Sequence, residues 1–324
     1  FRAVYCDGDG IQECRNTWEH KKWNITDFPE FELAITIDRP ELYYDFLQKD
    51  WTRFCHDYWK NNFLEHHTLS QKRVTRIYIG NQFCHNLFPR KELLFQVLEK
   101  ALENNLAVTL AFSYIRNHLL EEIDELLQEL EVWCQSREKE AGKDQEEIIV
   151  NDWAMPILLQ GKPHLKPVLG VLLNKRRKDV RLPYKHGIGN HVDSLAENNL
   201  NCGFYQDYLK NTFDIQRFEF ESCGYKVTIP DGHHSLHLPF FQTNTSQYCT
   251  LYAVCRYGDR EKQKLPENCP KYCEQKVFLY PKHLKMVGRY NSLFGYDEKI
   301  LWDEKQLQDY LEQGIDRIVV NVSL

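Results

Sequence analysis

No stretch of the sequence approaches the roughly 18 consecutive apolar residues of a membrane-spanning helix, so no such span is expected. The first residues carry no basic-then-apolar leader pattern; nothing marks secretion, and a cytoplasmic location is the expectation. Neither G-x-G-x-x-G nor G-x-x-x-x-G-K-[ST] occurs, which counts against the usual nucleotide-binding domains. G-x-S-x-G and H-E-x-x-H are also missing, so two common hydrolase signatures are absent. Positive charge is not in excess: 41 Lys+Arg face 47 Asp+Glu, for a net charge of -6. Non-specific nucleic-acid binding needs a basic footprint, so nucleic acid is not an expected partner. The one basic run, Asn174–Arg181 (NKRRKDVR), leads into the Gly-rich HGIGN at 186–190 and reads as an exposed loop or an anion contact.

What the chain does have is core material. Over 324 residues, 42% are hydrophobic and 13% aromatic, which excludes a disordered chain and fits one large α/β barrel or two ordinary domains. Residues 1–30 are polar, aromatic and irregular, with a turn signal at Asp7-Gly8-Asp9-Gly10. From residue 31, short apolar runs alternate with helical periodicity. Strands are expected at Phe31–Ile37, Val74–Ile79, Leu106–Phe112, Glu147–Val150, Pro167–Leu173, Arg217–Glu221, Ser235–Phe241 and Asp316–Val322. Helices are expected at Pro40–Asn62, Lys91–Asn104, Asn117–Trp133, Ala196–Thr212 and Glu304–Gln313, with a hairpin through Lys276–Tyr280 and Leu284–Val287. Strand–helix alternation of this kind predicts parallel βα units and a (β/α)8-type barrel, in places distorted, with an open doubly wound sheet as the alternative. The expected division is an extension at 1–30 and one barrel domain at 31–324. That barrel carries a cysteine-rich metal-binding loop and hairpin at 249–291. Arg137–Glu147 (REKEAGKDQEE) reads as a solvated charged connector.

The cysteines are the most informative residues. There are eleven, an odd number, and without a secretion signal a disulfide framework is the weaker explanation. Cys249, Cys255, Cys269 and Cys273 fall in the pattern C-x5-C-x13-C-x3-C. Thiolates are soft ligands, so four together suit zinc or an iron–sulfur cluster, and spacing does not choose between them.

Three segments carry a resemblance. Arg76–Cys84 (RIYIGNQFC), followed by an amphipathic helix and LAVTLAF, resembles the UbiV-like members of the collagenase-like peptidase superfamily. Val150-Asn151-Asp152-Trp153 is similar to that family's "AND" motif after a strand, and Val254-Cys255-Arg256 with Cys269 and Cys273 is similar to its "ARC…C-x3-C" segment. The resemblance implies a [4Fe-4S] cluster held by Cys84, Cys255, Cys269 and Cys273, with Cys249 a spare. It further implies oxygen-independent hydroxylation of an aromatic or other small molecule, with prephenate as oxygen donor and a related UbiU-like barrel as partner subunit. Alternatives are a structural zinc protein using Cys249, an RNA-base hydroxylation enzyme, and a peptidase.

Other candidates are Asn151 and Asp152 just past a strand, where barrel enzymes place acid–base groups, although an Asp there is equally a helix cap. Arg289 and Arg256 are candidate carboxylate clamps. His233, His234 and His237 form the densest histidine group, a possible metal or proton-transfer site if the strand brings them together.

Overall fold

Eight apolar segments, each alternating between two buried faces, pair in parallel and in chain order around a ring. A computed structural model describes residues 4–7, 15–24, 30–141, 145–180, 195–266 and 268–322. Strands and helices are numbered in chain order. The ring consists of β2 (Glu32–Ile37), β3 (Arg76–Ile79), β4 (Ala107–Ala111), β5 (Glu146–Val150), β6 (Leu165–Leu169), β7 (Glu219–Glu221), β8 (His234–Leu238) and β13 (Ile315–Val320). β13 lies between β8 and β2, and an isolated parallel bridge between Leu169 and Phe218 joins β6 to β7, so the sheet is a nearly closed barrel of the (β/α)8 type. The expected architecture is the observed one.

Period-two alternation sorts the side chains. Outward residues such as Leu33, Ile35, Ile77, Val108 and Ile148 pack with the helices into the main core. Inward residues Ala34, Tyr78, Ala111, Ile149, Val168 and Val319 form a separate apolar layer inside the barrel. Beneath it, toward the strands' amino ends, lies a charged floor. Arg317 reaches Glu147 at 2.6 Å and Glu32 at 2.6 Å, and Arg76 reaches Glu32 at 2.8 Å.

A second sheet is inserted between β8 and β13. β9 (Phe240–Thr245), β10 (Lys276–Leu279), β11 (Met286–Arg289) and β12 (Ser292–Tyr296) are antiparallel, and β1 (Val4–Asp7) from the amino-terminal stretch pairs with β10. The expected hairpin is present as β10–β11, with Leu279 opposite Val287, but as part of this five-stranded sheet. The run Ser235–Phe241 divides into β8 and β9 at Pro239, which has no amide hydrogen to extend the ladder.

The segment Pro40–Asn62 forms two helices, α1 (Pro40–Gln48) and α2 (Trp51–Asn61), because Lys49 is extended and Asp50 caps the second, accepting from the Arg53 amide at 2.9 Å. α3 is Lys91–Glu103; α4 (Leu120–Ala141) extends beyond the expected Trp133. Arg137 is therefore helical and ion-paired with Glu146, and Glu146 and Glu147 are buried in β5 rather than solvated. α5 is Ala154–Leu158, α6 is Gly203–Phe213, α7 is Thr250–Tyr257 and α8 is Glu304–Glu312. The helix expected at Ala196–Thr212 is confined to α6 and a 3-10 turn at Asn199–Asn201. The turn signal at 8–10 and the HGIGN segment at 186–190 lie outside the described residues. No helix among the described residues is long and apolar enough to cross a membrane.

Candidate functional site

The loops at the carboxyl ends of the barrel strands meet the inserted sheet, and four cysteines gather there. β3 is followed by Gly80, whose φ of +106° suits glycine and where a Cβ would stand 2.6 Å from the Ala111 carbonyl oxygen. The following Asn81 organises the loop: its Oδ1 accepts from the amides of Phe83 and Cys84, both at 2.9 Å, and its Nδ2 donates to the Asp38 carbonyl. Phe83 packs edge-on against Phe294 of β12 at 4.9 Å, tying the loop to the second sheet. Cys84 thereby faces a small enclosed cavity that Cys249, Cys269 and Cys273 also line, with Arg116, Tyr290 and Asn291.

Each cysteine is positioned by local structure. Cys249 caps α7, its Sγ accepting from the Tyr252 amide at 3.3 Å and donating to the Tyr290 carbonyl at 3.0 Å. Cys273 sits in a 3-10 turn entered through Lys271, which has a left-handed backbone (φ 54°). Tyr114 supports the lining residue Asn291, accepting from it at 3.0 Å and donating to the Ser246 carbonyl at 3.1 Å.

Burial pushes the Cys84 thiol up to about 11 and the Cys249 thiol to about 12, and raises that of Cys273 well above the ordinary range. Mutual repulsion adds to this: Cys273 feels Cys84, Cys249 and Cys269. Two arginines oppose the shift. Arg116 acts on Cys84, and Arg289 acts on Cys273 while donating from Nε to its carbonyl at 2.9 Å. Lys262 and Lys264 are exposed, and Lys271, between Cys269 and Cys273, is partly buried. None of the four is in a disulfide. Among the described residues, no group of three or more His, Cys, Asp or Glu side chains is arranged to hold a metal ion.

The remaining candidates separate. Cys255 lies on α7, half-buried, and is not among the residues lining the cavity. Asp152 is a cap: its oxygens accept from the amides of Ile115, Ala154 and Met155. Asn151 ties loops together, donating to the Phe112 carbonyl at 2.7 Å and accepting from the Leu172 amide at 3.1 Å. Arg289 is buried behind Cys273, and Arg256 is exposed. The three histidines do not converge. His233 is exposed beside Asp316, His234 stacks on Phe218 at 4.8 Å in the outer core, and His237 points into the barrel. Strand alternation sends neighbours His234 and His237 to opposite faces.

A second cavity occupies the barrel mouth, lined among others by Thr36, Asp38, Tyr78, Gln82, Glu221 and His237. His237 Nε2 is 2.5 Å from Glu219, whose Oε1 accepts from Tyr78 Oη at 3.1 Å. The His237 contact holds the Glu219 carboxyl below its usual range against the opposing effect of burial. Glu221 is paired with the buried Lys178 at 2.5 Å. No sequence motif announced Asp38, Arg116 or the His237–Glu219 pair; Asn81 is foreshadowed only by its place after a strand-ending Gly.

No protein-family model, curated protein or solved structure matches the chain.

Proposed function

We propose that the four-cysteine cavity holds a [4Fe-4S] cluster and that the barrel serves an oxygen-independent hydroxylase, of the prephenate-dependent type, acting on an aromatic or other small molecule. The observation that carries this is the gathering of Cys84, from a loop some 165 residues earlier in the chain than Cys249, with Cys249, Cys269 and Cys273 around one buried void. The donor set fits: the ligands are all sulfur, the thiols are unpaired, and Arg116 and Arg289 supply positive charge beside them. Cys84, Cys249, Cys269 and Cys273 would hold the group, so Cys249 takes the place that the resemblance gives to Cys255. With four protein thiolates the cluster would supply one-electron transfer rather than an open coordination position. The chain's own residues position the thiols: Asn291 lines the cavity and donates to Tyr114 Oη, and the Phe83–Phe294 contact ties the Cys84 loop to the second sheet. A UbiU-like barrel is the partner that this proposal expects.

Structural zinc is the competing proposal. A single zinc ion would be held by the same four sulfurs, each about 2.3 Å from one point, and metal content separates the two proposals. The test is anaerobic purification with metal analysis. The expected protein is brown, absorbs broadly near ~400 nm and contains iron; zinc without iron overturns the proposal.

A further inference from the structure

The amino-terminal stretch carries a guanidinium group into the interior and leaves one edge of it unmet. The 3-10 turn Asn16–Trp18 buries Trp18 against Phe240, the first residue of β9, with ring centroids 5.8 Å apart. Arg15, just before that turn, is 5% exposed, and its guanidinium carbon lies 5.9 Å from the same Phe240 ring. One nitrogen is anchored. Nη1 donates to Asn62 Oδ1 at 3.0 Å, and Asn62 Nδ2 donates to the Tyr58 carbonyl at 2.7 Å. The other two nitrogens, Nε and Nη2, are buried without a hydrogen-bond partner.

Those two are not an arbitrary pair. Nε and Nη2 share one edge of the guanidinium plane and direct two parallel N–H bonds outward, the fork that matches the two oxygens of a carboxylate. The surroundings are cationic. Burial first, and then repulsion by Arg39 and Arg289, holds the Arg15 guanidinium down at about 9, so at neutral pH it keeps its charge. Two carboxylates accompany these three guanidinium groups: Glu41, 3.5 Å from Arg39, and Asp38, which acts on the neighbouring Tyr58 and Tyr290. Neither meets the open edge of Arg15, and Asp38 Oδ1 is itself without a partner. Trp18 Nε1 and Tyr290 Oη are further buried donors with nothing to donate to. Three positive charges against two negative ones leave one to be neutralised. A monoanion balances the group, whereas a dianion would bury an excess of the opposite sign.

We infer that the open edge of Arg15 binds the carboxylate group of a small molecule through two parallel N–H···O bonds, in surroundings that Arg39 and Arg289 make cationic. The site adjoins the four-cysteine cavity, because Arg289 also donates to the Cys273 carbonyl and Tyr290 lines that cavity. The inference goes beyond the hydroxylase proposal and stands without it, since Arg15 is no ligand of the cluster.

The test titrates the full chain, after dialysis, with acetate, phosphate and chloride at one ionic strength. It follows the Nε–H resonance of Arg15 by NMR, identified by its loss in Arg15→Met. Arg15→Lys keeps the charge but removes the fork. A saturable shift with acetate is expected, with phosphate and chloride at least tenfold weaker and acetate binding in Arg15→Lys, measured by calorimetry, also at least tenfold weaker. No saturation by acetate, phosphate or chloride bound as tightly as acetate, or undiminished acetate binding in Arg15→Lys overturns the inference. If the variants lose their folded spectra, calorimetric titration of the unsubstituted chain with the three anions decides alone. Iron measured on the same samples reports separately on the cluster, so either proposal can fail without the other.

Discussion

The barrel floor and the four-cysteine cavity are both buried collections of ionisable groups, and they solve the problem of burial in opposite ways. On the floor the buried carboxylates and guanidinium groups are paired with one another. Arg317 binds Glu147 through two nitrogens at 2.6 and 3.0 Å and Glu32 at 2.6 Å, and Thr109 donates to Glu147 at 2.8 Å. These contacts overcome desolvation and hold the Glu147 carboxyl at about 2. In the cavity four thiols face one another, and burial drives the shifted ones toward the neutral form. Self-sufficient pairing marks a structural network. The thiols have no such network of opposite charges, and it is on this contrast that the cluster proposal rests.

Breaking the floor should have the largest effect on stability. Arg317→Met leaves Glu147 buried without its main partner, and a loss of about 3–5 kcal/mol is expected in urea unfolding. If the midpoint hardly moves, the floor is not the network described. Acid tests the same region by another route. Glu147 has a folded value of about 2 against 4.5 for an unperturbed carboxyl, so its contribution is fully present above the unfolded value. It is lost as the pH falls from about 4.5 toward 2, a decline on the order of 2–3 kcal/mol. Arg317→Met should remove most of that decline.

The cavity should respond in the contrary sense, with little loss of fold and full loss of cargo. Cys84→Ala should abolish bound iron while lowering the stability of the metal-free chain by only about 1 kcal/mol. Iron retained by this variant would refute the ligand set. Arg289→Met should keep the cluster but lower its reduction potential by some tens of millivolts, because a positive charge beside Cys273 favours the more negative reduced state. Cys255→Ala should have the smallest effect, leaving iron content and spectrum unchanged, since Cys255 is not among the residues lining the cavity.

Much of the barrel was legible because its strands are short apolar runs and its helices carry a different period; the ends of β2, β4 and β13 fall within a residue or two of expectation. The second sheet was not. Its strands are short, β12 (SLFGY) carries a glycine, and β1 lies some 270 residues from its partner β10. Within the site, Cys84, Cys249, Cys269 and Cys273 could each be named from sequence, but their grouping could not. Cys255 is as close in sequence to Cys249 as any candidate, yet the α7 helix places it away from the cavity lining. Asp152 was ambiguous between acid and cap, and three backbone amides make it a cap.

The sequence by itself determined the period of each element, hence the alternation of strands and helices and the barrel they build. It also determined that soft sulfur donors are abundant and that the usual phosphate-binding and hydrolase motifs are missing. Tertiary structure alone decided which thiols share a void, which carboxylates are neutralised, and that Arg15 keeps an unmet edge beside Arg39 and Arg289. The reason is physical. Periodicity is a local property, set by backbone geometry over a few residues. Desolvation and charge pairing depend on groups brought together across long stretches of chain, as Arg317 is to Glu32 and Cys273 to Cys84.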